Sequence, residues 1–123
     1  MKLIFVYNAN SGTVNGYKDV LHKILSPNTY ECSLCDITFG IFSENKRWKK
    51  FRETSNIEMK FLHKDEFLKT YRSKWLPKYD FPVILSEEKE QLEIFMASEE
   101  IDGFKKVDVL IEAIQQKAKN YSN

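Results

Sequence analysis

Phe81-Pro82-Val83-Ile84-Leu85, the charged connection Ser86 to Gln91, and Leu92-Glu93-Ile94-Phe95-Met96 make one unit. Two short apolar runs joined by so few residues predict an antiparallel hairpin. Pro82 has no N–H to give to a sheet ladder, so it belongs at a strand's opening or edge. Downstream, Asp102-Gly103 lead into Phe104, Val107, Leu110, Ile111, Ile114 and Ala118. Their spacing draws one apolar stripe and predicts a final amphipathic helix. Only the tail Tyr121-Ser122-Asn123 lacks the composition to order itself.

Working back from the hairpin, Phe67, Leu68, Tyr71 and Trp75 recur at helical spacing and end at Pro77. Ile57 to Leu62 alternates and predicts a strand with one polar face. Ser43 is placed to cap a helix whose inward side is Trp48 and Phe51. Tyr30 to Phe42 has no clean period and predicts a turn-rich excursion. Val14, Tyr17, Val20, Leu21, Ile24 and Leu25 mark a helix stopped by Pro27. Leu3 to Tyr7 is continuously apolar, as in a strand buried on both faces, rather than the hydrophobic run of a signal peptide.

The order is therefore a βαβ unit, a helix, then a ββα unit, which resembles the thioredoxin-like pattern. The fold class expected is α/β, thioredoxin-like, with a small mixed sheet of about four strands and helices on both faces. Residues 1–123 form a single domain, with residues 26–43 as a Cys-containing excursion. The resemblance implies a cis peptide before Pro82 and gives Pro82 a substrate contact. One departure stands out. Thioredoxins place their reactive cysteine at the helix directly after the first strand, and here that place is Asn10-Ser11-Gly12-Thr13.

Composition narrows the classes. The chain has 123 residues, enough for one domain with a real core, and 42% of them are hydrophobic. No apolar run approaches the ~18–20 residues of a membrane helix, so no membrane partner is expected. Two cysteines, three apart, are too few for a secreted disulfide scaffold, which points to a reducing cytoplasm. Residues 1–79 carry fourteen Lys and Arg against eight Asp and Glu, whereas residues 80–123 carry five against ten. Lys46, Arg47, Lys49, Lys50 and Arg52 form the densest basic run, interleaved with Trp48 and Phe51. With a net charge of +1, a nucleic-acid partner is not expected. A helix with inward aromatics and solvated lysines is the simpler reading.

Chemistry concentrates in His22-Lys23-Ile24-Leu25-Ser26-Pro27-Asn28-Thr29-Tyr30-Glu31-Cys32-Ser33-Leu34-Cys35. On a helix beginning near Val14, His22 falls off the apolar stripe, about one turn before the end. The reversal at Ser26-Pro27-Asn28 can bring Cys32 and Cys35 back beside it. As a dithiol, the Cys-x-x-Cys pair near a βαβ pattern is a redox signature, with a protein or small-molecule thiol as partner. Glu31 and Asp36 would raise the thiol pKa values, and a cationic His22 would lower them. As metal ligands, His22, Cys32 and Cys35 would hold zinc, with His63, Asp36 or water as the fourth ligand. Alternatively, both cysteines are small buried apolar residues and the domain is a non-catalytic interaction module using the helix around Trp48.

This run resembles a small family of uncharacterised bacterial proteins. Their strand ends in Tyr-Asn-Ala and is followed by His-Lys, Ser-Pro, Thr-Tyr, the Cys-x-x-Cys and an aromatic helix like Trp48-Lys49-Lys50-Phe51. The likeness covers the first half and, less closely, Leu62 to Phe67. The resemblance implies no mechanism. Asn8-Ala9-Asn10-Ser11-Gly12 follows a strand but lacks the Gly-Lys-Ser/Thr of a phosphate loop and the paired glycines of a dinucleotide fingerprint. Asp65-Glu66 and Glu87-Glu88 default to solvated charge, and His63 to a helix-opening residue.

Overall fold

The structure is a computed structural model and describes residues 1–8, 33–38, 44–71, 79–89 and 91–121. Strands β1 (Lys2–Tyr7), β2 (Glu58–His63), β3 (Val83–Glu88) and β4 (Gln91–Met96) form one sheet in the order β2-β1-β3-β4. β1 runs parallel to β2 and antiparallel to β3, and β3 runs antiparallel to β4. The helices are α1 (Ser33–Thr38), α2 (Lys46–Thr54), α3 (Lys64–Thr70), α4 (Ser98–Asp102) and α5 (Val107–Tyr121). Strand order, strand senses and helix placement are those of a thioredoxin-like α/β fold. The peptide between Phe81 and Pro82 is cis.

β1 is central because its sequence has no polar face to expose. Leu3, Ile4, Phe5 and Val6 are fully buried. Successive side chains of a strand point to opposite faces. Leu3, Phe5 and Tyr7 enter one core with Leu34, Trp48, Ile84, Met96, Leu110 and Ile114. Ile4 and Val6 enter a second core with Phe67, Val83 and Leu85. Helices α2 and α5 thus cover one face and α3 the other.

The hairpin is tighter than the sequence pattern suggests. Its strands extend through Ser86, Glu87 and Glu88, which leaves only Lys89 and Glu90 between them. Polar side chains are tolerated there because the hairpin's tip leaves the core. Lys89 takes φ 51°, the left-handed conformation that two-residue hairpin turns demand. Ile84 pairs with Met96 but Leu85 pairs with Ile94, so Phe95 is an extra residue in β4. This bulge turns Phe95 and Met96 into the same core and leaves Ile94 half exposed.

Four further expectations need correction. The excursion contains a helix, α1, whose Leu34 is buried in the core and whose Thr38 hydroxyl donates to the Leu34 carbonyl at 2.7 Å. The cap of α2 is Asn45, not Ser43. Its side-chain oxygen accepts from the N–H groups of Arg47 at 2.9 Å and Trp48 at 3.2 Å. The last helix starts at Val107, after the separate short helix α4, so Phe104 packs on the core from the connection. Tyr121 is the last residue of α5, and its ring lies 5.5 Å from that of Phe95. The predicted helix from Val14 and the position of Trp75 lie outside the described residues. Asn45→Ala is expected to lower the unfolding free energy by about 1 kcal/mol, the usual worth of such a cap. Denaturant titration checks it, and an unchanged midpoint would contradict the cap's role.

On the face covered by α3, a small polar network closes the amino end of the sheet. The Tyr71 hydroxyl donates to Glu87 Oε2 at 2.8 Å, and Lys2 Nζ lies 3.3 Å from Glu87 Oε1. The Tyr71 hydrogen bond, followed by that of Lys2, holds Glu87 below the ordinary carboxylate range against the opposing effect of burial. Burial, reinforced by Glu87, pushes the Tyr71 hydroxyl up to about 12. The signs follow from linkage. Glu87 stabilises the fold above its ordinary value of 4.5, and that contribution is lost as pH falls through the lowered value. Tyr71 holds its proton more tightly when folded, so its contribution is present below pH 10.0 and is lost as pH rises toward about 12. Urea midpoints across pH should therefore fall in both windows. Tyr71→Phe should lack the alkaline loss, and parallel curves for the two proteins would show that the network is not its source.

Candidate functional site

β1 and β2 run parallel and finish together, with Tyr7 beside His63. Because β3 runs antiparallel to β1, it starts at that same end, with Val83 opposite Val6. Pro82 is buried just before it. The carboxyl ends of parallel strands are where α/β folds present their chemistry, since loops and helix starts converge there.

His63 is the N-cap of α3. Glu66 reaches back, its Oε1 accepting from the His63 backbone N–H at 2.8 Å and lying 2.7 Å from His63 Nδ1. These contacts, the backbone one first, hold the Glu66 carboxyl below its ordinary range. Glu66 is therefore not the free solvated charge expected of it. The signal was present as His63-x-x-Glu66 ahead of an apolar helix, the spacing of a capping box. The imidazole also faces the Tyr7 ring, 5.9 Å between centroids. With Nδ1 committed to Glu66, Nε2 is the nitrogen left for other work.

Lys64 and Phe81 are the residues that sequence reading missed. Lys64 Nζ lies 5.4 Å from the Phe81 ring centroid, so a cation and an aromatic flank the approach to Pro82. Nothing local links them. They meet because α3 lies on the face where β3 begins.

The helix bearing Cys35 belongs to the same end of the molecule. Met96, the last residue of β4, pairs with Ile84 near the start of β3, so α4 follows at that end. α1 packs against α4. The Asn45 N–H donates to the Thr38 carbonyl at 2.7 Å, tying the end of α1 to the start of α2. Cys35 and Asp36 are the third and fourth residues of α1. His22 and Cys32 lie outside the described residues. Of the expected site residues, the tertiary structure thus gathers the Cys35 helix, His63 and Pro82 around one end of the sheet. Among the described residues, no group of three or more His, Cys, Asp or Glu side chains is arranged to hold a metal.

The basic run proves to be a helix with its aromatics turned inward. Trp48 is fully buried and touches Phe5, Phe51 and Phe61, with ring centroids 5.6, 5.7 and 6.4 Å away. It is therefore not available to stack on bases. Among the described residues, no helix is long and apolar enough to cross a membrane.

The fold and this cluster define a class: a small thioredoxin-like α/β domain with its candidate site at the carboxyl ends of β1 and β2. No family model, curated protein or solved structure matches the chain.

Proposed function

We propose that this protein is a cytoplasmic thiol–disulfide exchange protein acting through Cys32 and Cys35, with His22 beside them. In this reading a protein or small-molecule disulfide docks where Pro82 opens β3. One observation carries it: α1, which holds Cys35, packs on α4 at the end of the sheet where β3 starts. A thioredoxin-like domain needs its dithiol at that end, next to the strand a partner lies along. In this reading the dithiol would come to that end from the excursion rather than from a helix directly after β1.

The test is direct. Reduced protein is treated with a mild oxidant, and the mass and free-thiol content are followed. Formation of one intramolecular Cys32–Cys35 disulfide is expected, since a Cys-x-x-Cys turn can bring the Cα atoms within ~7 Å. Two accessible thiols that fail to pair would remove the redox reading.

A second reading is zinc held by His22, Cys32 and Cys35, with His63 as fourth ligand. The His63–Glu66 contact favours it, because imidazole ligands of zinc commonly give their other nitrogen to a carboxylate. Zinc would there fix the excursion to the sheet end or sense metal. Metal analysis of protein purified without chelator tests it, and a zinc-free protein with both thiols reduced would end it.

A further inference from the structure

The described cations differ in how they are compensated. Lys2, Arg52 and Lys117 each meet a carboxylate, at 3.3, 2.7 and 2.6 Å. Lys60 and Lys64 lie over aromatic rings. Lys46, Lys49 and Lys50 on α2, and Lys105 and Lys106 just before α5, are exposed instead. Among the described residues, none of these five has a carboxylate at ion-pair distance. Burial of Trp48 and packing of Phe51 turn Lys46, Lys49 and Lys50 outward, because a helix rotates ~100° per residue. Arg47 meets Asp108 at 2.7 Å, which sets the first turn of α2 beside the start of α5. Lys46 and Lys50 flank Arg47 on the helix, about 100° and 60° round, and so share this side with Lys105 and Lys106, whereas Lys49 lies on the far side.

That surface has a definite place. α2 leads into β2, whose first residue, Glu58, lies at the amino end of β1, beside Lys2. The first turn of α2 therefore lies toward the opposite end, where the Asn45 N–H meets the end of α1. Lys105 and Lys106 follow α4, which caps that end too. The first turn of α2 and the Lys105–Lys106 connection thus lie toward the sheet end that holds the Cys35 helix.

We propose that this lysine surface docks an acidic segment flanking the disulfide of a partner protein, a proposal that rests on the thiol reading above. Polypeptide is favoured over nucleic acid on two counts. The interleaved aromatics face inward, which removes base stacking. Duplex DNA carries a charge every ~1.7 Å, which calls for a broad positive field, whereas this chain has a net charge of +1 and an acidic second half. A localised positive surface on a dipolar domain instead steers a compact acidic partner into one orientation. In the exchange, one thiolate of the pair attacks the partner disulfide and forms a mixed disulfide while releasing a partner thiolate. The second thiolate then attacks the mixed disulfide, closes the Cys32–Cys35 bond and releases the other partner thiol. Two electrons pass from the dithiol to the partner disulfide, and the protons of the two thiols end on the partner's.

The experiment uses the reduced full chain in single turnover with three probes: 2-hydroxyethyl disulfide, a peptide disulfide flanked by Asp and Glu, and the same peptide flanked by Lys. At about 50 mM salt the acidic peptide should react about tenfold faster than the basic one, with the gap closing near 0.5 M as screening shortens the field. In the Lys46→Glu/Lys50→Glu/Lys106→Glu variant, the ratio of acidic-peptide rate to 2-hydroxyethyl disulfide rate should fall about tenfold. Equal rates for the two peptides, with the neutral disulfide reduced normally, would overturn the docking proposal and leave the thiol reading intact. No reduction of the neutral disulfide would overturn the thiol reading and this proposal with it. Displacement of the acidic peptide by a single-stranded oligonucleotide at lower concentration would reassign the surface to nucleic acid.

Discussion

Trp48→Ala is expected to lower the unfolding free energy by about 3–5 kcal/mol, the usual range for removing a fully buried aromatic. Domains of this size have only about 5–15 kcal/mol to lose, so the variant should be marginal at room temperature. Trp48 joins α2 to the sheet by an edge contact with Phe5 and packs beside Phe51 and Phe61. Truncation would leave a cavity bounded by strands that cannot collapse into it. Trp48→Phe should destabilise much less. Among the described residues, Trp48 Nε1 has no hydrogen-bond partner although it is buried, so the smaller ring removes an unmet donor along with some volume. Guanidinium unfolding of the three proteins gives the comparison. A loss below about 1.5 kcal/mol for Trp48→Ala would mean that α2 is not an integral part of the core.

Cys32→Ser and Cys35→Ser are each expected to abolish exchange, yet to leave different traces. A dithiol transfers two electrons only if one sulfur attacks and the other resolves the mixed disulfide. Removing the resolving sulfur strands the partner on the protein, and removing the attacking sulfur leaves nothing bound. Mass spectrometry after 2-hydroxyethyl disulfide treatment therefore assigns the roles, with the added mass on one variant only. Retention of full exchange by either variant would overturn the chemistry. In the zinc reading both variants, and His22→Ala, would instead lower metal content and thermal stability together, with metal affinity weakening as pH falls because the ligands must lose protons.

The carboxyl-end cluster sits between these two expectations. Leu34 belongs to the same core as Trp48, so loosening α2 also loosens the helix that carries Cys35. Trp48→Ala should therefore slow exchange under conditions where most molecules remain folded, and Trp48→Phe should preserve it. That pairing separates a role in holding α1 from simple loss of folded protein.

Much of the architecture could be read from local pattern. Leu3 to Tyr7 could only be a central strand, because five consecutive apolar side chains need cover on both faces. The alternation at Ile57 to Leu62, the hairpin opened by Pro82 and the stripe through Leu110 and Ile114 placed the remaining layers, and with them the thioredoxin-like topology. Each of these signals arises from periodicity, which is a property of neighbouring residues. Boundaries were less legible. Asn45 and Ser43 are both good caps by type, and it is the Asn45 side chain that accepts from the Arg47 and Trp48 N–H groups. The short α1 escaped notice because six residues hold too few turns to show a period; tertiary burial of Leu34 rather than propensity sustains it.

The sequence by itself pointed to a buried β1, to a helix turning Trp48 inward, and to Pro82 heading a hairpin strand. The tertiary structure alone decided what stands beside what. It brought His63 against Tyr7, set Lys64 over Phe81, and paired Arg47 of α2 with Asp108 of α5. The physical reason is range. Helix and strand patterns come from contacts a few residues apart, whereas the neighbours at the end of a sheet are set by strand order and by which face each helix covers, and those follow from packing the whole chain.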